Sequence, residues 1–461
     1  MKTSPLVSRF SKLILLTVLG VGIGVPIAIK KAPSHLAASN LPPSTSVSTA
    51  ATHSLGMAEP LTAPPLSISG NPAASNILAG TGSLGRWLGL KEDSGVWLGG
   101  LLTSDGNVIL SGGAEPGKVT GNNLFILGLN LDTQKLSLWN GGMFHIEFLQ
   151  FNGMNTNDTA GTIQGFDSLT GPPPLNRSEL YQLWYRQTFA DNKLILRFGK
   201  TVPTYDFDNV LRPVPIVDAN LSMPKVTGLL FTPVFVNPTM LGVMPGYYNS
   251  AYGATSTYAP FKNLYFSAAA FDGNLANGTQ TGINGGPSFD GYYFYIGESG
   301  FAWQQGKDAK PGLFAVGGWG QTGQLTIPDV AQEQGAQGIY SFGSQRLWFR
   351  NPGIDSSGIS GFFQLGANDS RTLPIDKYVG AGLTAYALTR PLDSFGLGMA
   401  WSWLNQDQFD RTSELMFQTY YQAHLFYNTY LASALTYIPT PGASKDIPQT
   451  WAATLQLSTL F

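Results

Sequence analysis

The sequence predicts an all-β fold, a transmembrane antiparallel β-barrel, from the alternation in its last segment and from its low charge. Alternate residues of that segment are apolar, namely Trp451, Ala453, Leu455, Leu457 and Phe461. Side chains of a strand point to opposite faces with a period of two, so the segment is a two-faced strand. An open sheet would leave this apolar strand as an exposed edge, and closure onto the first strand removes the edge. Charged residues make up 12 % of the chain, about half of the ~25 % that is usual in soluble domains.

The composition also limits the classes of function. A net charge of −2 gives no reason to expect a nucleic-acid partner. The absence of cysteine excludes a disulfide framework and a thiol nucleophile. Fifty-five glycines and an aromatic content of 12 % suit a protein with many strands, tight turns and aromatic girdles at a membrane interface.

The first residues have the pattern of a signal peptide. Lys2, Arg9 and Lys12 precede the apolar run Leu13–Ile29, and small residues at Ala37–Ser39 suit a cleavage site. An uncleaved membrane anchor is the alternative interpretation of this run. The run is the only uninterrupted apolar segment long enough to cross a membrane as a helix, so a helical bundle is excluded.

The chain is thereby divided into three parts. Residues 1–39 are assigned to the signal peptide. Residues 40–85 are rich in Ser, Thr and Pro and bury too little apolar surface to fold, which indicates a flexible periplasmic leader. Residues 86–461 are predicted to form the barrel domain, because no boundary interrupts the strand pattern there.

Short turns and long polar loops alternate along the barrel domain, as in outer-membrane barrels with short periplasmic turns and long extracellular loops. The predicted strands cover Thr103–Ser111, Leu124–Leu131, Leu136–Phe151, Glu179–Phe189, Leu194–Gly199, Leu264–Phe271, Tyr292–Trp303, Leu313–Gly320, Ile339–Arg350, Ile359–Gly366, Tyr378–Thr389, Phe395–Leu404, Glu414–His424, Tyr427–Ile438 and Trp451–Phe461. The stretch Pro224–Ala259 holds one further strand or three, which gives sixteen or eighteen strands. The chain length favours sixteen, and the prolines of Pro224–Leu241 assign that part to an extracellular or inward-folded loop.

Charged side chains on these strands are expected to face the lumen, because Arg or Lys at the bilayer midplane costs roughly 2–4 kcal/mol. One wall is predicted from Glu147, Gln182, Trp184, Arg186 and Arg197, and the opposite wall from Glu298, Arg346, Arg350 and Glu414. The expected lipid face comprises Phe144, Ile146, Phe148, Tyr181, Leu183, Tyr185, Phe189, Leu194, Leu196 and Phe198. Any one of the inward charged residues could instead merely neutralise an opposite charge on the water-filled inner wall. His145 is predicted to be a lumen hydrogen-bonding group and not a metal ligand, since no second His or Cys lies at ligand spacing.

Arg186 and Arg197 are expected to face the lumen together and to donate hydrogen bonds to the hydroxyl groups of a passing solute. Glu147 is expected to balance their charge, and Trp184 to offer a stacking surface. Such contacts are individually weak, which suits passage of a solute.

Several segments carry a resemblance to a known family. They are Trp97–Leu101, Leu131–Leu136 with Trp139–Gly142, Leu180–Gln187, Glu414–Tyr421 and Tyr437–Pro441. In order and spacing they resemble the carbohydrate-selective porins, the glucose-inducible outer-membrane porins of Gram-negative bacteria. Gln418 stands where that family usually has a glutamate, and Thr436 where it has a glutamine.

The resemblance implies an outer-membrane porin for passive diffusion of small neutral sugars such as glucose. It implies contact with outer-membrane lipid, recognition of the strand ending at Phe461 by the barrel-assembly machinery, and a homo-oligomer as one option. The alternatives are a porin selective for anions or for general small solutes, and a β-rich surface adhesin or lectin. No nucleophile elbow, metal cluster or phosphate loop is recognisable, so we expect no enzyme, cofactor or metal.

Overall fold

A computed structural model describes residues 80–461 except 168, 170–174, 209, 211–236, 246–248, 262, 280–285 and 356. The predicted signal peptide and all of the predicted leader before residue 80 lie outside the described residues. The sheet is a closed barrel of sixteen strands, in which each strand pairs with its chain neighbours and the first pairs with the last. Every pairing in the barrel is antiparallel, as in β1 with β2 and β15 with β16. In the described part of the chain, no helix is long and apolar enough to span a bilayer.

The strands are numbered in chain order. They are β1 (Val96–Ser111), β2 (Val119–Asp132), β3 (Gly142–Asn152), β4 (Asn176–Phe189), β5 (Leu194–Thr201), β6 (Ala251–Phe261), β7 (Leu264–Asp272), β8 (Tyr293–Gln305), β9 (Lys310–Ile327), β10 (Ala331–Phe349), β11 (Gly358–Asn368), β12 (Ile375–Tyr386), β13 (Ser394–Leu404), β14 (Ser413–Phe426), β15 (Thr429–Ile438) and β16 (Thr450–Leu460). Two short helices, α1 (Ser83–Trp87) and α2 (Thr156–Ala160), and 3-10 turns at Pro203–Tyr205, Pro238–Met240 and Asn274–Asn277 complete the described elements.

The strand count of sixteen is confirmed, because the uncertain stretch contributes one described strand, β6. Of the predicted loop Pro224–Leu241, residues 224–236 lie outside the described residues. The 3-10 turn Pro238–Met240 is buried against the inner side of β11, since Asn237 donates to the carbonyl of Leu365 at 3.0 Å. The described part of this loop is therefore folded inward.

Several predicted strand boundaries are wrong, and most of the strands concerned are longer than predicted: β1 begins at Val96 and not at Thr103, and β10 at Ala331 and not at Ile339. Strand β3 is instead shorter than predicted. The strand expected from Leu136 begins at Gly142, because Asp132 stabilises a longer turn before it. The Asp132 carboxylate accepts hydrogen bonds from the backbone N–H groups of Gln134 at 3.0 Å and Lys135 at 3.1 Å. Such side-chain bonds to a nearby backbone favour a turn over a strand.

The two ends of the barrel differ. At one end, called here the turn end, connections are short, as between β4 and β5, where Ala190, Asp191 and Asn192 all have positive φ. At the opposite end, called here the loop end, the β3–β4 and β5–β6 connections are long. This agrees with the predicted arrangement, in which short turns lie at one end of the barrel and long loops at the other.

The wall has one apolar and one polar face. On β3, Phe144, Ile146 and Phe148 are exposed outward, whereas His145 and Glu147 are buried inward. At the seam of the barrel, Gly100 of β1 donates to the main-chain oxygen of Phe461 at 2.7 Å. The ring of Phe461 stacks on Phe125 of β2 at 5.9 Å between centroids.

A β-bulge changes the facing of β4. The β3–β4 register shifts between Glu147 and Phe148, so Tyr181 and Gln182 are both buried while Leu180 is exposed outward. The expectation that Tyr181 lies on the lipid face is therefore wrong. A bulge inserts one extra residue into one strand, and a period-two pattern reverses across it.

Two loop-end connections fold into the barrel and share an apolar cluster with its inner wall. Phe166 comes from the β3–β4 connection, and Phe207 and Met240 come from the β5–β6 connection. Wall residues of the same cluster include Tyr265, Phe271, Phe294, Trp319 and Tyr340. The lumen is therefore narrowed by packed loops and not only by side chains of the strands.

Candidate functional site

Arg186 and Arg197 lie directly opposite each other on β4 and β5. Both point into the barrel and are largely buried, with 6 % and 5 % of their surface accessible. On the neighbouring strand β6, Thr255 pairs with Arg197 and so lies beside the arginines along the wall. The arginines therefore lie together on one inner wall, where the sequence places them.

The charge beside Arg197 comes from a loop. Asp206, just after the 3-10 turn Pro203–Tyr205 of the inward-folded β5–β6 connection, forms an ion pair with the guanidinium of Arg197. This carboxylate was not among the predicted site residues. The positive wall is therefore partly neutralised by the same connection that narrows the lumen.

Glu147 belongs to a different network, in which its two carboxylate oxygens have separate partners. His145 Nε2 lies 3.3 Å from one oxygen, and Gln182 Nε2 donates to the other at 3.0 Å. His145 Nδ1 in turn contacts Asn130 of β2 at 2.6 Å. Glu147 and Gln182 are buried, so they orient neighbouring groups more than they contact a solute.

Trp184 is held between this network and the arginines. Its indole N–H donates to Gln182 at 3.1 Å, and its ring stacks on His145 at 4.7 Å. The guanidinium carbon of Arg197 lies 5.3 Å from the ring centroid, within the range of a cation–π contact. Trp184 is buried to a similar extent as the two arginines, and it contacts Arg197 directly.

Hydroxyl groups continue the polar wall beyond β5. Thr257 of β6 and Ser267 of β7 share a hydrogen bond of 2.9 Å, and Ser267 pairs with Glu298 of β8. Together with Thr255, these side chains form a band that runs around the lumen from the arginines to Glu298. Alternating donors and acceptors of this kind suit the hydroxyls of a neutral sugar.

Glu298 faces inward as predicted, but the expectation that it lies on the opposite wall is wrong, because β8 is only three strands from β5. Its carboxylate accepts hydrogen bonds from Tyr265 at 2.6 Å, from Tyr340 at 3.0 Å and from the backbone N–H of Asp208 at 2.8 Å. Gln364 of β11 also donates to the backbone carbonyl of Asp208 at 2.9 Å. Glu298 thus anchors the β5–β6 connection. Burial raises the pKa of the Asp208 carboxyl well above its ordinary value.

Glu414 on β14 anchors the other inward connection. Its carboxylate accepts hydrogen bonds from the Thr162 hydroxyl at 2.5 Å and from the backbone N–H groups of Ile163 at 2.9 Å and Gln164 at 3.1 Å. Gly442, between β15 and β16, donates to it at 2.6 Å. Glu414 is therefore a fully bonded loop anchor, away from the arginine pair in sequence and in strand order.

The last two predicted wall residues, Arg346 and Arg350, lie in different environments. Arg346 is inward on β10 and fully buried, with its guanidinium 5.0 Å from the ring centroid of Phe349. Arg350 follows β10 at the turn end and is exposed, donating to the carbonyl of Leu388 at 2.8 Å. Arg350 therefore lies at the rim of the barrel and not in the lumen wall.

A third loop anchor was not predicted from the sequence. Asn107 donates to Asp105 of β1 at 3.0 Å and to Asp167 of the β3–β4 connection at 3.1 Å, and Asn122 of β2 bonds the same two carboxylates. The alternation of Asp105 and Asn107 on a predicted strand is the signal that could have revealed this inward polar cluster. Within the described ranges, no group of three or more His, Cys, Asp or Glu residues is arranged to hold a metal ion.

Comparisons with known proteins agree with this architecture. The sequence matches the "Carbohydrate-selective porin, OprB family" over residues 120–461. Porin B of Pseudomonas aeruginosa is 26 % identical over an alignment of 401 residues, and the alignment covers 76 % of this chain and 84 % of that protein. The high-pH structure of Pseudomonas putida OprB has a TM-score of 0.70 at 19 % identity, covering 83 % of this chain and 98 % of that chain. Its low-pH structure has a TM-score of 0.52 at 15 % identity, covering 83 % and 97 %.

Proposed function

This chain belongs to the carbohydrate-selective porin, OprB family, and from that membership we propose how its barrel passes sugars. The protein is a porin of the bacterial outer membrane, and its function is the passive diffusion of small sugars. We assign the turn end to the periplasm and the loop end to the outside, which is the usual wiring of outer-membrane barrels. The solute then enters past the inward-folded connections and leaves past the short turns.

The observation that carries the proposal is the Arg186–Arg197 pair with its flanking hydroxyls. The two guanidinium groups present planar sets of N–H donors, and Thr255, Thr257 and Ser267 add hydroxyls that both donate and accept. A neutral sugar such as glucose carries the complementary set of hydroxyls. The band is therefore proposed as the surface along which a small neutral sugar moves.

Weak and exchangeable contacts are what diffusion requires. A hydrogen bond that replaces one to water contributes about 0.5–1.5 kcal/mol, so no single contact retains the sugar. Asp206 offsets the charge of Arg197, and this pairing supports a passage for uncharged solutes over one selective for anions. Glu147, Gln182 and Trp184 are proposed to fix the orientation of Arg197 behind the surface.

The other expectations are carried forward as proposals. The side chains serve binding and passage, and we propose no catalytic reaction and no cofactor. We also propose that residues 1–39 direct export, that residues 40–85 form a periplasmic leader whose described end, from Gly80, packs on the barrel at Phe461, and that β16 is the segment recognised during barrel assembly. The closed barrel with an apolar outer face supports the last of these.

Planar-bilayer recordings test the sugar pathway. The double variant Arg186→Ala/Arg197→Ala is expected to conduct more ions, to shift ion preference toward cations and to bind glucose several-fold more weakly, judged from block of the ion current. The control is Arg350→Ala/Arg390→Ala, which removes two exposed arginines at the turn end. Unchanged glucose block in the first variant would exclude the arginine wall. A preference for phosphate over glucose in the unmodified protein would instead support an anion porin.

A further inference from the structure

Arg346 occupies a closed position in the inner wall. It lies on β10 directly opposite Ser360 of β11, and none of its surface is accessible. Its guanidinium covers the ring of Phe349 on the same strand. On its other side the guanidinium lies against Gly358, since a Cβ atom placed on this glycine would be 3.0 Å from an Nη atom of Arg346.

The N–H groups of the Arg346 guanidinium have no hydrogen-bond acceptor within the described ranges. Among the residues that the structure describes, none accepts a hydrogen bond from its Nε or either Nη atom, and no carboxylate lies within 4.0 Å of it. Other arginines of the barrel differ: Arg197 pairs with Asp206, Arg177 lies 3.6 Å from Glu179, and Arg350 bonds a carbonyl. Arg346 is therefore a buried cation whose hydrogen-bonding capacity the described wall leaves unused.

Its neighbours are hydroxyl donors. The Ser360 hydroxyl is buried and also lacks a hydrogen-bond partner among the described residues. Tyr386 of β12 pairs with Gly358, the residue against which the guanidinium lies. The turn between β10 and β11 contains Asp355, but its carboxylate is already engaged. It accepts hydrogen bonds of 2.8 Å from the Ser357 backbone and the Asn351 side chain.

Buried charges in folded proteins are almost always paired, because an uncompensated ion loses its hydration without replacement. A guanidinium with hydroxyl donors beside it is complemented by a negative ion. We propose that Arg346, Ser360 and Tyr386 bind a small inorganic anion of the size of chloride or nitrate within the wall between β10 and β12. The closed surroundings select a small ion over the carboxylate of a sugar acid.

The site is distinct from the sugar pathway. Arg186 and Arg197 lie on β4 and β5, whereas Arg346 lies on β10 and presents no accessible surface to the lumen. The bound ion would compensate the buried charge and stabilise the barrel without taking part in sugar passage. The inference therefore does not depend on the identity of the sugar or on the arginine pair.

Heat-induced unfolding in different sodium salts at one ionic strength tests the proposal, because equal ionic strength keeps general screening constant. The purified full chain is heated in chloride, nitrate or gluconate, and the folded and unfolded bands are separated on a gel. A ligand that binds only the folded state raises its stability with concentration. The midpoint is expected to rise with chloride and nitrate and to stay lower in gluconate, whose bulk exceeds the site.

The variants separate this site from a general salt effect. Arg346→Met removes the charge and should abolish the difference between chloride and gluconate, whereas Arg350→Met, at the exposed turn, should preserve it. If Arg346→Met does not fold, crystals of the unmodified protein in bromide give the result directly. An anomalous bromide peak next to the guanidinium supports the site. No peak there, or an equal anion response in Arg346→Met, would overturn it.

Discussion

Glu298 accepts a hydrogen bond of 2.8 Å from the backbone N–H of Asp208, although 90 residues separate the two in sequence. The same carboxylate is bonded by Tyr265 of β7 and Tyr340 of β10. One buried acid thus ties the inward-folded β5–β6 connection to three strands of the wall. The width of the passage therefore depends on this carboxylate as well as on the arginines of β4 and β5.

Replacing Glu298 by alanine should loosen the β5–β6 connection. The substitution leaves three buried donors without their acceptor, at a cost of about 1–3 kcal/mol for each unsatisfied group. Single-channel conductance is expected to rise, glucose block to weaken, and limited proteolysis to cut the chain near Asp208. Glu115→Ala, which removes an exposed ion pair with Lys118, is the matched control. A Glu298→Ala protein with normal conductance and protease resistance would show that the loop is held by its apolar contacts alone.

The attachment of the same connection should depend on pH. Burial, together with repulsion from Glu298, raises the pKa of Asp208 well above its ordinary value of 3.8. A raised folded-state pKa in an acid means that the folded arrangement favours the protonated form. The protonated Asp208 carboxyl therefore stabilises the folded connection fully below pH 3.8. This stabilisation is lost as pH rises through the raised pKa. Conductance should therefore rise, and sugar block weaken, toward alkaline pH.

The variant Asp208→Asn isolates this effect, because the amide is neutral throughout and has the same shape. Its conductance is expected to change less with pH than that of the unmodified protein, with Asp355→Asn at an exposed turn as the control. If both variants retain the pH response of the unmodified protein, Asp208 does not set it.

The regular part of the fold could be predicted from the sequence, because strand alternation is a local pattern. The facing of Phe144, Glu147 and Arg197 follows from the period of two and from the cost of a charge in lipid. Glu298 and Glu414 could be placed inward by the same argument. Their partners could not be predicted, since Thr162 lies 252 residues from Glu414 and such contacts leave no local signal.

Two features escaped prediction for other physical reasons. The bulge beside Glu147 moves Tyr181 inward, and neither strand contains a glycine or proline at that point to indicate a bulge. Asp206 could not be assigned to Arg197, because a loop residue has no periodic face from which its direction follows. The period of two therefore places both arginines inward, whereas no local pattern indicates the carboxylate that pairs with Arg197.

Cysteine labelling should reveal the bulge directly, because the chain contains no native cysteine. Leu180→Cys is expected to react with a lipid-soluble maleimide in membranes, since Leu180 is 43 % exposed on the outer face. Tyr181→Cys should react little, because Tyr181 is 1 % exposed and faces inward. Leu183→Cys, also on the outer face, is the positive control. Stronger labelling at residue 181 than at residue 180 would mean that β4 has no bulge here and that residue 181 faces the lipid.

Phe461 should be needed for closure of the barrel at the β1–β16 seam. Its main-chain oxygen accepts hydrogen bonds from Gly100 at 2.7 Å and Thr81 at 3.0 Å, and its ring stacks on Phe125 across the seam. Phe461→Asp replaces the aromatic contact with a charge on the lipid face, which a membrane disfavours. We expect less folded, heat-modifiable barrel in the outer membrane at unchanged synthesis, and an intermediate defect for Phe461→Ala. Phe417→Ala on β14 removes an outward ring that is 41 % exposed and distant from the seam, and it should assemble normally. Equal assembly of the Phe461 and Phe417 variants would mean that the seam is held by its backbone ladder without the aromatic ring.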